Sequence, residues 1–384
     1  MRTIKLISYY SNWNDKYDRT ASPAGINVIN YLANVIAGDE DYSVEIISPS
    51  WITSAGKTKL IKKQKVIIDR IRITYTPSCV GSVKLIRFVN KVISRMWLIA
   101  YLIKNIKSRE PIIVYHEPSL IFPIRLLRFL KHPYIIMLTE ELYSTIPKFS
   151  GIGVGKEINY LHKSDAFIFP TILLNDAVNL QNKLYLILHG MYNVEKDRKT
   201  KFNDGKIHVL YAGTFNHTKG GATAVAVAEF LDERYCMHII GFGSKEDTQV
   251  IVDKVNSIQL KTKCIIHFDG LKKGEEYIKY IQSCDIGLSP QNPTEAYNDS
   301  SFPSKVLSYL CNGLRVASVK IKALQTSAIS DMLTYYESSE PKAIADAIKT
   351  IDMSKKYDSR SFLLELNHSF SKSLIQLINC AYKC

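Results

Sequence analysis

Lys305 follows a Pro303–Ser304 helix start in NPTEAYNDSSFPSKVLSYLCNGLRVAS. Ser304 is expected at the N-cap, with the helix running through Leu310 and Gly313 as its C′ stop. A lysine in the first helical turn opposes the positive end of the helix dipole at a cost of a few tenths to ~1 kcal/mol, unless an anion lies between them. A second anion-binding pattern begins where HVLYAG ends at Gly213 and the turn TFNHTKGG, with Lys219 and Gly220, enters an Ala/Val-rich helix. Such a turn presents backbone N–H groups beyond the strand's carboxyl end, though it also reads as an ordinary βα turn with a surface lysine. HIIGFGS places Gly241 and Gly243 behind another strand, for close ligand approach or for a tight turn. IIHFDGLKKGEEYIKYIQSCDIGLSP, containing Leu271, links strand, turn, short helix and strand, with Asp285 expected to end the helix.

The first half offers a different chemistry. Its strand ends are followed by Tyr9 and Tyr10, by His116 and Glu117, by Glu140 and Glu141, and by His189 and Gly190. A neutral imidazole beside a carboxylate can bind a hydroxyl, and Glu117 can act as a base. Arg19 and Gly25, in RTASPAG before a helix, fit either a diphosphate loop or an irregular loop with a helix cap. Paired acids also suit glycoside hydrolysis, but that class needs no dinucleotide-type second domain.

The elements that must position these residues are short apolar runs spaced by helix-period segments. Strands are predicted at Ile4–Ser8, Val44–Ser48, Val66–Ile73, Ile112–Tyr115, Tyr134–Leu138, Ala166–Phe169 and Leu184–Leu188. After the polar break NVEKDRKTKFNDGK they resume at Ile207–Ala212, Met237–Gly241, Cys264–Phe268, Ile286–Ser289 and Arg315–Ser318. The alternation predicts right-handed βαβ units, hence an α/β chain with two parallel-sheet domains. The expected domains are 1–192 and 207–358, with a linker at 193–206 and a helix within 359–384 packing back on the first.

Among 384 residues, 46% are apolar and 22% charged, enough to fill two cores. Seven cysteines without a CxxC pair argue for reduced thiols, and no Asp-x-Asp or His cluster suggests a metal. The first residues are too polar for a signal peptide, and the longest apolar run, Met96–Ile103, falls short of the ~20 residues of a membrane span. The net charge is +14, and residues 1–190 carry most of it, with 25 basic against 14 acidic side chains. Between Lys57 and Arg109 there are 14 Lys/Arg and one acid, Asp69. There, Leu85, Val89, Val92, Ile93 and Met96 share a helical face bordered by Lys84, Arg87, Lys91 and Arg95. RLLRFLKHP adds a second basic–apolar patch. This pattern fits an anionic membrane surface, or equally a helix packed on the core with solvated charges. No nucleic-acid-binding signature accompanies the charge.

In order and spacing, GTFNHTKGG, HIIGFG, HFDGL, SCDIGLSP and FPSKVLSYLCNGLRV resemble the donor domain of a two-Rossmann (GT-B) glycosyltransferase, of the retaining group of family 4 in particular. The resemblance is close over about 110 residues of the second half and only in outline before them. It implies two Rossmann-like domains facing a cleft and a nucleotide-sugar donor near Gly213, Thr214, Lys219, Gly220, Gly241, Gly243, Leu271, Glu295, Ser300, Pro303, Ser304, Lys305 and Ser308. It places the acceptor beside Arg19, Gly25, Glu140, Glu141 and His189, with His116, Glu117 and Lys305 as catalytic candidates. Thr214 stands where the family commonly has Arg, and Ser300 and Ser308 where it has two glutamates; Glu295, Asp299 or Ser308 are the substitutes for sugar contacts. The implied activity is metal-independent transfer of a sugar, without a cofactor, to a glycan or polyprenyl-diphosphate-linked glycan in surface polysaccharide assembly. The protein would work in the cytoplasm, peripheral at the inner membrane face. An epimerase of the same fold and a non-catalytic GT-B subunit remain open alternatives.

Overall fold

The computed structural model describes residues 1–383 except 55, 56, 58, 82, 146–152, 217–219, 294–297, 299 and 300. The chain forms two compact units: Met1–Pro170 with Leu174–Met191 and Ser369–Cys384, and Thr171–Leu173 with Tyr192–His368.

The elements of the first half are β1 (Arg2–Ile7), α1 (Pro23–Gly38), β2 (Tyr42–Ser48), β3 (Lys59–Ile61), β4 (Gln64–Ile68), β5 (Ile71–Tyr75), β6 (Ser78–Val80), α2 (Lys84–Asn105), β7 (Pro111–Tyr115), α3 (Ile121–Lys131), β8 (Tyr134–Leu138), α4 (Val154–Leu161), β9 (Ala166–Phe169), α5 (Ile172–Val178) and β10 (Leu184–Ile187). The main sheet runs β10-β9-β8-β7-β1-β2-β5-β4 and is parallel except for edge strand β4; β3 and β6 form a separate antiparallel pair. Helices cover both faces of a parallel sheet, so its strands are buried along their length: Ile4, Leu6, Ile7, Ile46 and Ile47 are all buried, and so are Lys5 and Glu45, which interrupt the apolar runs and pair with Glu110 and with Thr74 and Tyr101. At the start of α1, Ser22 accepts the Gly25 N–H at 3.0 Å and Pro23 supplies a preset φ, while Ile26, Ile29, Leu32 and Ile36 face the core.

Two predicted elements differ. The single strand expected at Val66–Ile73 is a hairpin: Asp69 adopts φ +50° and Ile68 pairs with Ile71. A charged Asp69–Arg70 dipeptide resists burial in a strand, and aspartate tolerates the left-handed turn conformation. In α2, the buried positions are Asn90, Ser94, Leu98 and Leu102. The Asn90 amide takes the Cys79 N–H at 2.7 Å and donates to its carbonyl at 2.8 Å, so polar groups anchor the helix's first half. Leu85, Phe88, Val89, Val92 and Met96 consequently face solvent, as do Phe122, Phe129 and Leu130 of α3.

The second half contains β11 (Ile207–Thr214), α6 (Gly221–Val227), β12 (Tyr235–Phe242), α7 (Lys245–Gln259), β13 (Ile265–Gly270), α8 (Gly274–Ser283), β14 (Ile286–Ser289), α9 (Ser304–Cys311), β15 (Arg315–Val319), α10 (Lys322–Gln325), β16 (Leu333–Tyr336), α11 (Pro341–Lys349) and α12 (Ser359–Ala381). Its sheet is wholly parallel in the order β13-β12-β11-β14-β15-β16. Asp285 lies just beyond α8, whose cap is Cys284; its carboxylate accepts the His208 N–H and the Lys201 ammonium, each at 2.9 Å, tying the preceding linker to β11. From Ser369 onward, α12 belongs to the first unit, where Phe370 meets Tyr31 at 5.9 Å and Asn379 accepts the Tyr42 hydroxyl at 2.6 Å. Among the described residues, no helix is long and apolar enough to cross a membrane, and no disulfide joins the cysteines.

Candidate functional site

In a doubly wound sheet, ligands gather beyond the strand carboxyl ends where the strand order reverses. In the second unit that point lies between β11 and β14. The side chain of Lys305, the second residue of α9, lies directly across the end of β11: a Cβ on Gly213 would stand 2.5 Å from its Cε and 2.6 Å from its Nζ. A larger residue there would push the lysine aside. The ammonium donates to the Tyr211 hydroxyl at 3.1 Å and lies 4.2 Å from the ring centroid, while that hydroxyl donates to the Thr214 carbonyl at 2.7 Å. Burial raises the Tyr211 pKa, keeping the phenol neutral beside the lysine.

Tyr309 fixes α9 in this position. Fully buried, its hydroxyl accepts the Ala212 N–H at 2.9 Å and donates to the Leu288 carbonyl at 3.3 Å, bridging β11 and β14. The C-terminus closes as predicted at Gly313, with φ +86°. Its N–H bonds to the Leu310 carbonyl at 3.0 Å, and the Leu314 N–H bonds to the Tyr309 carbonyl at 3.1 Å, a Schellman pair. The N-terminus differs from expectation: Pro303 holds the cap position, and Ser304 is the exposed first helical residue. A proline ring has no acceptor, so its side chain does not satisfy the first-turn N–H groups, and the positive pole stands next to the Lys305 ammonium.

Gly220, at φ +81°, caps α6, and a Cβ there would sit 2.0 Å from the Pro290 carbonyl oxygen; the turn after β11 thus closes onto the end of β14. Gly241 pairs in register with Gly213. Gly243 precedes Ser244, which caps α7 by accepting the Asp247 N–H at 3.0 Å, a tight-turn role. Leu271 follows β13 and is exposed; Thr214 is half-buried, and the Ser308 hydroxyl meets Tyr277 of α8. Lys219, Glu295, Asp299 and Ser300 lie outside the described residues.

In the first unit the order reverses between β1 and β7. Here Glu117, Glu140 and Glu141 come together, all within electrostatic reach of the Tyr143 hydroxyl. Glu117 accepts the Ser119 N–H at 3.2 Å as well as the Ser119 hydroxyl, and Glu140 accepts the Tyr115 hydroxyl at 2.6 Å. Burial raises the pKa of both carboxyls, against the lowering effect of these bonds. Gly25 joins the group through Tyr115, whose ring atoms would lie 3.5 Å from a Cβ at that position. Tyr9, at the end of β1, reaches Ser119, and its pKa is raised by burial.

Three predicted residues point elsewhere. His116 is 2% exposed, its Nε2 3.2 Å from Glu157 Oε1 and its ring between Tyr143 and Tyr160. Burial pushes its pKa down to about 4 against the pull of Glu157, so it is a neutral group shaping the loop rather than one facing a ligand. Glu157 itself accepts the Tyr143 and Ser144 N–H groups at 2.8 Å each. Arg19, expected at a diphosphate, is enclosed: it pairs with Asp15 at 2.7 Å, donates to the Ser50 carbonyl at 3.2 Å and to Gln64, and stacks 4.1 Å over Tyr75. A buried guanidinium needs such complete pairing, which leaves it committed to the loop. His189 bonds to the Pro170 carbonyl at 2.8 Å at the end of β10, three strands from β7, with its pKa lowered by burial. Sequence reasoning missed Tyr211, Tyr309, Tyr115 and Glu157; an aromatic or acid inside an apolar run carries no local mark of the partner it will meet.

No family model matches the chain, and no curated protein matches it. Solved structures do. A trehalose-6-phosphate protein from E. coli bound with UDP-2-fluoro glucose is 10% identical, with a TM-score of 0.64, covering 98% of this chain and 99% of that one. An alpha,alpha-trehalose-phosphate synthase (UDP-forming) from Burkholderia xenovorans in complex with glucose-6-phosphate is 9% identical, with a TM-score of 0.65, covering 99% and 100%. A glycosyltransferase from Rickettsia africae is 12% identical, with a TM-score of 0.61, covering 99% and 98%. At such identities the similarity speaks for architecture, and that architecture is the GT-B fold.

Proposed function

We propose that the chain is a glycosyltransferase that takes its sugar from a nucleotide diphosphate sugar held in the β11–β14 crevice. The observation that carries this reading is the Lys305 side chain laid over Gly213 beside the first turn of α9. A departing diphosphate accumulates negative charge, and a fixed ammonium with an aligned helix terminus stabilises that charge without a metal. Glu117, its carboxyl raised by burial, is the proposed base for the acceptor hydroxyl, with Glu140 and Glu141 as hydroxyl acceptors. The motif order of glycosyltransferase family 4 supports the same reading.

Three carboxylates at the β7 and β8 ends repel a phosphorylated acceptor and favour a neutral, hydroxyl-rich one. The proposed acceptor is accordingly a glycan, carried on a lipid in surface polysaccharide assembly. The exposed apolar row of α2, with its flanking lysines and arginines, supports work at an anionic membrane surface. A sugar phosphate is the second reading, favoured by the architecture shared with a protein solved with glucose-6-phosphate.

The test is turnover of UDP-, GDP- and dTDP-sugars with a lipid-linked glycan or glucose-6-phosphate, with and without EDTA in the assay. One donor should be consumed, transfer to the glycan should exceed transfer to the sugar phosphate, and EDTA should leave the rate intact. Lys305→Ala should lower kcat by about 10²-fold or more. Loss of activity with EDTA that Mg²⁺ or Mn²⁺ restores and Zn²⁺ does not would overturn the metal-free mechanism, and undiminished turnover by Lys305→Ala would overturn the role of the lysine.

A further inference from the structure

The amino ends of β11, β12 and β13 bring a row of side chains onto one face of the second sheet. His208 pairs in register with Cys236, and His238 pairs with His267; with the two-residue period of a strand, all four share that face. His208, Cys236 and His238 are 2%, 1% and 2% exposed, and Phe202 of the linker lies flat on both buried imidazoles, 4.3 Å and 4.9 Å away. Among the described residues, these three form the one group of His, Cys, Asp and Glu side chains arranged to hold a metal ion, their ligand atoms all within 4.8 Å of one another.

The hydrogen bonds around the pair form a chain between two carboxylates. Asp204 Oδ1 lies 2.9 Å from His208 Nε2, His208 Nδ1 lies 2.8 Å from His238 Nε2, and His238 Nδ1 lies 2.6 Å from the Tyr280 hydroxyl, which donates to Asp269. Four contacts need four protons. Two neutral imidazoles and one phenol supply three. A cation between His208 Nδ1 and His238 Nε2 resolves the shortfall. Each imidazole then donates its other N–H outward, His208 to Asp204 and His238 through Tyr280 to Asp269. Metal-bound histidines characteristically have such outer partners.

We propose that His208 Nδ1, His238 Nε2 and Cys236 Sγ ligate a zinc-class divalent cation, at a site separate from the donor crevice. Two nitrogens and a sulfur are a suitable donor set for tetrahedral zinc, with water in the fourth position. Ligand atoms of such a site stand about 3.3–3.6 Å apart, so the imidazoles, now 2.8 Å apart, separate slightly to admit the ion. A thiol binds such a cation as the thiolate, so binding releases the Cys236 proton to solvent and affinity rises with pH. Phe202 covers the rings and Asp204 bonds one of them, so the end of the linker lies directly over the site.

The test uses the full chain, freed of metal by dialysis against a chelator and titrated with Co²⁺ and then Zn²⁺. One Co²⁺ should bind per chain with a thiolate-to-cobalt charge-transfer band, and Zn²⁺ should displace it. Cys236→Ser should abolish the band and His238→Ala should weaken binding at least tenfold, while Cys264→Ser should change neither. Should the variants fail to fold, the wild-type stoichiometry and band still decide. Absence of stoichiometric binding, leaving a proton as the cluster's charge, would overturn the site, as would an unchanged band in Cys236→Ser. None of these readouts depends on sugar transfer.

Discussion

His116 is held where a second proton is poorly accommodated. Its pKa is pushed from the ordinary 6.5 down to about 4 by burial, with Glu157 pulling the other way. As pH falls below 6.5 the unfolded chain takes up the proton first, so this group's contribution to stability is lost progressively between about 6.5 and 4. Glu117 and Glu140, with raised carboxyl values, act in the opposite sense as the pH falls. The His116→Gln variant isolates the imidazole. Its urea midpoint should decline less than that of the wild type across this window, and its stability at pH 7.5 should stay within about 1–2 kcal/mol of wild type. Parallel pH profiles for the two proteins would contradict the assignment.

At the scale of elements, α2 departs furthest from ordinary helix packing. Leu85, Phe88 and Met96 are 67%, 64% and 63% exposed, because Asn90 and Ser94 occupy the inward face. Replacing Phe88 and Met96 together with serine should change stability by less than about 0.5 kcal/mol. The same variant should sediment with phosphatidylglycerol vesicles at least tenfold more weakly than wild type, and wild-type binding should weaken with salt. Equal wild-type binding to neutral and anionic vesicles would refute the membrane role. Most strands of both sheets were legible in sequence because parallel strands buried on two faces read as apolar runs, whereas the half-buried edge strand β16 was not; Gly313 and Lys305 were legible because helix ends carry local chemistry. The Asn90 anchor, the hairpin at Asp69 and the commitment of Arg19 were not, because each depends on a partner distant in sequence. The His208–Cys236–His238 cluster was hidden for the same reason: strand register, rather than a spaced motif, assembles it.

For the molecule as a whole, the uneven charge acquires a structural meaning. Most of the +14 lies in the half that carries α2 and α3, while the more nearly balanced half carries the Gly213–Lys305 crevice. The GT-B fold supplies each half with its own sheet and its own reversal of strand order, hence its own crevice. In the proposed function, the second crevice grips a nucleoside diphosphate through Lys305. Calorimetric titration of the full chain with UDP, GDP and dTDP tests it most directly. One of the three should bind with unit stoichiometry, and Lys305→Ala should weaken that binding at least tenfold without altering thermal unfolding; failure of all three to bind the wild-type protein would contradict the account.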